Sequence, residues 1–92
     1  MRSVSGYHFY QVEATDNPLS ILHDSQAECA FITVSGGYIR YRYDSGEPTT
    51  LEGHIAQDGL GIKLDNISQI DKFRFINASD RPTFLAITLE KS

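Results

Sequence analysis

Between residues 36 and 54 the chain reads GGYIRYRYDSGEPTTLEGH, which sets Arg40 and Arg42 among tyrosines and places His54 just after a run of turn formers. If Arg40, Arg42 and His54 met in space, the chain would be a binding protein or an enzyme. If they only line a strand, its function lies in surface and assembly. The other residues with chemical potential are scattered. His8, His23 and His54 stand far apart, and none falls in the H-x-H or H-E-x-x-H spacing that sets two imidazoles on one metal. Ser, His and Asp are all present without a G-x-S-x-G elbow, and Cys29 has only distant histidines to activate it. The expectation is a chain with no catalytic residue, no metal ligand and no cofactor.

The elements that must position these residues are strands. YHFYQVE (7–13), LSIL (19–22), ECAFITV (28–34), YIRYRY (38–43), GHIA (53–56), GIKL (61–64), KFRFIN (72–77) and TFLAITLE (83–90) are short and rich in aromatic or β-branched residues. Turn formers separate them: TDNP, HDSQ, SGG, DSGEPTT, QDG, DNISQ and ASDRP. About eight strands at roughly ten-residue spacing predict an all-β fold, a small antiparallel β-sandwich of jelly-roll form, as one domain over residues 1–92. Helix is confined to two candidates, NPLSILHDS, which Pro18 could open, and a single turn within NISQIDKF.

Alternation assigns faces. Ile39, Tyr41 and Tyr43 share one side of their strand, and Tyr38, Arg40 and Arg42 share the other, directed to solvent. The predicted core is Phe31 or its flanking pair, with Ile39, Tyr41, Ile62, Leu64, Phe73, Phe75, Leu85, Ile87 and Leu89. Each such side chain contributes about 1.5 to 3 kcal/mol when fully buried, so a core this small is thin and a partner subunit would strengthen it. An outward arginine stripe has two uses, contact with another molecule or cross-strand pairing that blocks a sheet edge, and the pattern fits both. In DSGEPTT, Gly46 is free to take positive φ and Pro48 fixes the exit.

Composition bears on partners. Eight Lys plus Arg stand against twelve Asp plus Glu, a net charge of −4. No overall field therefore draws the chain to nucleic acid or to an anionic membrane. The single Cys29 lies between apolar neighbours and suits a small buried hydrophobe. No stretch is long and apolar enough to span a bilayer or to serve as a signal peptide, so synthesis in the cytoplasm is expected. On that footing the N-x-S sequences at Asn66 and Asn77 read as chance.

Two resemblances follow from particular stretches. EGHIAQDGLGIKL resembles the second half of a cupin strand pair without the cupin's paired histidines, which speaks for architecture and not for activity. IRYRYDSGEPTTLEGHIAQDGLGIKL and ISQIDKFRFINASDRPTFLAITLE resemble a module of small virion proteins of tailed bacteriophages. The matching positions are Arg40, Tyr41, Arg42, Asp44, Gly46, Pro48, Thr49, Gly53, His54, Gly59, Phe73, Arg74 and Ile76. That resemblance covers the last 55 residues or so and implies a capsid decoration (cement) protein or a neck or tail component. It also implies a homo-oligomer, trimer ahead of dimer, bound to a major capsid or other virion protein, made in the host cytoplasm and located in the virion.

The expected assembly surface joins Tyr7, Phe9 and Tyr10 to Tyr38, Arg40, Arg42 and Arg74, with the stretch MRSVSGYHFYQ ordering only on docking, as an added strand on a neighbour's sheet edge, and residues 1–6 as a flexible arm. The plainer alternative makes residues 7–13 an ordinary strand of the sandwich. Two other functions stay open. A small-molecule or glycan-binding module would present a concave aromatic surface containing Tyr38, Tyr41 or Tyr43. A cupin-like enzyme would bring His8, His23 and His54 together.

Overall fold

Alternating apolar residues build two sheets that face each other across one core. The computed structural model describes residues 5–91. Its strands are β1 (Ser5–Glu13), β2 (Leu19–Ser20), β3 (Cys29–Ser35), β4 (Tyr38–Arg42), β5 (His54–Gln57), β6 (Gly61–Leu64), β7 (Arg74–Asn77) and β8 (Phe84–Lys91), with one short helix, α1 (Ile67–Lys72), before β7. The front sheet has the order β1-β8-β3-β6 and the back sheet the order β2-β7-β4-β5. Every pairing is antiparallel. The chain crosses between sheets at nearly every connection, and this interleaved order is that of the eight-stranded jelly roll.

The inward residues are those that alternation selects. Ile39, Phe73, Phe75, Leu85, Ile87 and Leu89 are buried, as are Ile62 and Leu64. Tyr41 packs against them while only partly buried. At β3 the flanking pair is the correct choice: Ala30 and Ile32 are fully buried, whereas Phe31 is 43% exposed on the outer face. Its ring lies over Gly61 of the neighbouring strand, where an added Cβ would come within 3.1 Å of it.

Four expectations change. NPLSILHDS forms no helix: only Leu19–Ser20 is regular, Ile21 is buried, and the Leu22 N–H donates to Tyr10 Oη at 2.9 Å. The turn in NISQIDKF is a true α-helix. Asn66 caps it by accepting from the Gln69 N–H at 2.9 Å, Gln69 reaches back to the Asp65 N–H at 2.6 Å, and Ile70 anchors it in the core. The helix takes Lys72 from the strand expected at 72–77, so β7 starts at Arg74. The segment expected to order only on docking is instead an ordinary strand of the chain's own front sheet from Ser5 to Glu13. Ser5 and Gly6 pair with Lys91 and Glu90 as part of β1, and residues 1–4 lie outside the described residues.

Candidate functional site

The stretch that raised the question of chemistry is chiefly a loop clasp. Arg40 leaves the outer face of β4, and its guanidinium donates from Nε to the Thr50 carbonyl at 3.1 Å and from Nη1 to the Gly53 carbonyl at 2.9 Å. The loop between β4 and β5 is thereby folded back on the back sheet. Its own turn is closed by Thr49, whose Oγ1 accepts from the Leu51 and Glu52 N–H groups. Pro48 is fully buried beneath it. Gly53 has φ +127°, and a Cβ there would sit 3.1 Å from the Tyr41 carbonyl oxygen, so only glycine fits. Ile76, directly across from Arg40 on that face, is buried.

Arg42 serves the same loop by a different route. It forms a bidentate fork with Asp44, Nε to Oδ1 at 3.0 Å and Nη2 to Oδ2 at 2.7 Å, and Asp44 also accepts from the Gly46 N–H at 3.0 Å. These bonds favour the charged carboxylate, with the Arg42 contact foremost, and hold the Asp44 pKa at about 2. The positive φ expected at Gly46 falls instead on Ser45, at 72°. A Cβ at Gly46 would lie 2.3 Å from the Arg42 guanidinium carbon, so a larger residue there would push the fork aside. Arg74 donates to the Asp71 and Phe73 carbonyls and so closes the end of α1. All three arginines expected at an assembly surface thus hold the chain's own backbone or side chains, and Arg40 and Arg42 are not the free solvent stripe that alternation suggested.

The inner side of β4 behaves differently. Ile39 is fully buried, Tyr41 partly so, and Tyr43 is 45% exposed, so this row of residues runs from the core out to the mouth between the sheets. His54 lies directly across from Tyr41. Its ring is 5.4 Å from that of Tyr41 and 5.9 Å from that of Tyr43, stacked on the latter at 23°. Tyr41 in turn stacks on Phe73 at 5.2 Å. Burial, and secondarily neighbouring Tyr43, raises the Tyr41 pKa. Two recesses adjoin at Tyr43. One of about 340 Å³ is walled by Tyr41, Tyr43, Lys63, Asp65 and Gln69, and one of about 260 Å³ by Arg42, Tyr43, Asp44 and His54.

At the opposite end of the chain, Tyr7 and Tyr10 fix the segment after β2. Tyr7 Oη donates to Asp24 Oδ1 at 2.6 Å, and this bond, with burial, pushes the Tyr7 pKa up to about 12. The same contact lowers the Asp24 pKa. His8 and His23 line one recess with these residues, while His54 lies in the separate recess beside Tyr43. The three histidines do not converge, and among the described residues no group of three or more His, Cys, Asp or Glu is placed to hold a metal. Asn77 holds the loop before β8 through Ser79, Arg81 and Thr83, just as Asn66 caps α1.

Phe9 alone of the N-terminal aromatics points outward. Register places it across from Thr88, which is across from Phe31, so the two rings flank one threonine on the outer face of the front sheet. Phe84 shares that face beside Ser35 and Glu13. Phe9, Phe31 and Phe84 are 59%, 43% and 40% exposed. Sequence reading singled out Phe9 but missed Phe31 and Phe84. Their signal was the alternation itself, since both stand opposite residues assigned to the core.

Comparison of the chain with protein-family models, with curated proteins and with solved structures gives no match.

Proposed function

We propose that the chain is a structural subunit of a tailed-bacteriophage particle, a capsid decoration protein or a neck or tail component, that acts by binding neighbouring subunits and not by catalysis. The observation that carries this reading is the outer face of the front sheet, where Phe9, Phe31 and Phe84 lie open on paired strands. Grouped exposed aromatics on one flat face are a feature of protein contact surfaces. Charge favours a second copy of the same chain as one occupant. Although the molecule carries −4, the described strands place on this face only Glu13 apart from the Lys63–Glu90 pair at 3.6 Å, so like copies meet there with little repulsion. The thin core of a 92-residue chain gains from such cover. The resemblance of the last 55 residues or so to small virion proteins gives the particle, the host cytoplasm as place of synthesis, the preference for a trimer and the coat protein as second partner.

Light scattering at low micromolar concentration should give a mass well above 10.3 kDa. Phe9→Ser with Phe31→Ser should return the protein to monomer and abolish its binding to purified capsids, with circular dichroism unchanged. A parent that is monomeric and leaves capsids unbound would sink the proposal.

A further inference from the structure

The mouth between the sheets holds an arrangement that neither loop fixing nor subunit contact requires. Tyr43 and His54 are both exposed, yet they stack on one another, and Tyr41 and Phe73 continue the stack into the core. Aromatic faces rooted in a core are stiff, so they can meet a ligand without losing much rotamer freedom. Around them stand side chains of both signs and fixed geometry. The Arg42–Asp44 fork flanks one side of Tyr43, and Lys63, Asp65 and Gln69 flank the other. Each cation already has a carboxylate, Arg42 with Asp44 and Lys63 with Glu90, so the site offers no unpaired positive charge to phosphate or to a carboxylate. It offers donors and acceptors to a neutral molecule that can use both.

We infer that this mouth is a binding site for a neutral saccharide, with one sugar ring set against Tyr43 and His54 and its hydroxyls bonded to the Arg42–Asp44 fork and to Asp65 and Gln69. A pyranose matches the two halves of the site. Its C–H face is flat and apolar enough to lie on an aromatic ring, and each hydroxyl both donates and accepts. A wholly apolar ligand would strip water from Asp65, Gln69 and the open edge of the fork and give nothing in return, at a cost in desolvation. The space suits one ring in the recess of about 260 Å³ beside His54 and the fork, with a second of about 340 Å³ continuing past Tyr43 to Asp65 and Gln69. The site lies on β4, β5 and β6 and shares Lys63, which stands across from Phe31, with the phenylalanine face, so occupancy and assembly are tested apart at Tyr43 and at Phe9.

The test uses the full chain with cellobiose, maltotriose and diacetylchitobiose as probes and inorganic phosphate as the charged control. Saturation-transfer NMR should show at least one sugar receiving magnetisation at its ring protons. Amide shifts should move at Tyr41, Tyr43, His54 and Lys63 and leave Phe9 and Phe31 still. Tyr43→Ala, at an exposed position that the fold does not need, should weaken binding roughly two- to tenfold, the equivalent of one aromatic contact. Asp44→Asn should weaken it too by opening the fork. No saturation transfer from any of the three sugars overturns the inference. So does a phosphate that moves the same amides as strongly as the sugars, or a Tyr43→Ala protein that binds as the parent does.

Discussion

The outer faces of the two sheets begin from the same sequence pattern and part where Arg40 grips its loop, although Tyr38 and Ile55 on the back sheet stay about as open as Phe31 and Phe84. On the back sheet, Arg40 holds the loop between β4 and β5 down by two carbonyls, and Pro48 and Ile76 are buried. On the front sheet Phe9, Phe31 and Phe84 remain open among the described residues. Alternation labels all of these residues outward. Whether an outward residue meets solvent, a neighbour or the chain's own loop is decided by loop length and by which side chain can grip the loop's carbonyls. The comparison shows that an arginine on an outer face and a phenylalanine on an outer face can exchange their expected roles, the charged one serving the fold and the apolar one left free for a partner.

The widest separation between the faces should appear when each loses an apolar side chain. Ile76→Ala removes a buried group from the covered face and should cost about 2–4 kcal/mol of stability, measured by urea unfolding. Phe84→Ala on the bare face should cost less than about 1 kcal/mol. Equal losses would mean that the two faces are alike and that the contrast is misread.

A smaller effect is expected from the clasp itself. Arg40→Ala leaves two loop carbonyls without their charged donor and should cost about 1–3 kcal/mol. Hydrogen exchange should speed up at Thr49 and Glu52, whose N–H groups depend on the closed turn, while the β1 and β8 amides keep their protection. Arg40→Lys should not restore the parent, because one ammonium cannot reproduce the two-armed geometry. Unchanged exchange at Thr49 and Glu52 in the alanine variant would show that the turn needs no clasp.

The smallest effect belongs to the Arg42–Asp44 fork at the edge of the covered face. Its carboxylate has a folded pKa of about 2, below the ordinary 3.8, so the contribution to stability is present above pH 3.8 and is lost as pH falls toward 2. Both partners are open to solvent, and the global stability should barely register the change. The readout is local: the Gly46 amide resonance should hold steady from neutral pH to about 4 and then titrate with a midpoint near 2. A midpoint at the ordinary carboxylate value would show that the fork does not persist in solution.

Much of the architecture follows from the chain alone. Period-two alternation in GIKL and TFLAITLE selects Ile62, Leu64, Leu85, Ile87 and Leu89 as core, because a strand's side chains must take opposite faces and one face must be dry. Turn residues at roughly ten-residue intervals set the number of strands, and with so many short strands the sandwich is the natural packing. Sequence also placed Cys29 correctly in the interior. What the tertiary structure decided is which outward residues stay outward. Arg40 became a clasp because the loop that follows it returns within reach of its guanidinium, a fact of three-dimensional path that no local pattern encodes. Phe31 and Phe84 came together with Phe9 because β8 lies between β1 and β3, so residues more than fifty positions apart share one surface through register alone. His54 and Tyr43 met for the same reason, across the β4–β5 pair. Local chemistry fixes the face a side chain takes, whereas strand order and loop path fix what stands opposite that face, and only the second depends on contacts between distant parts of the chain.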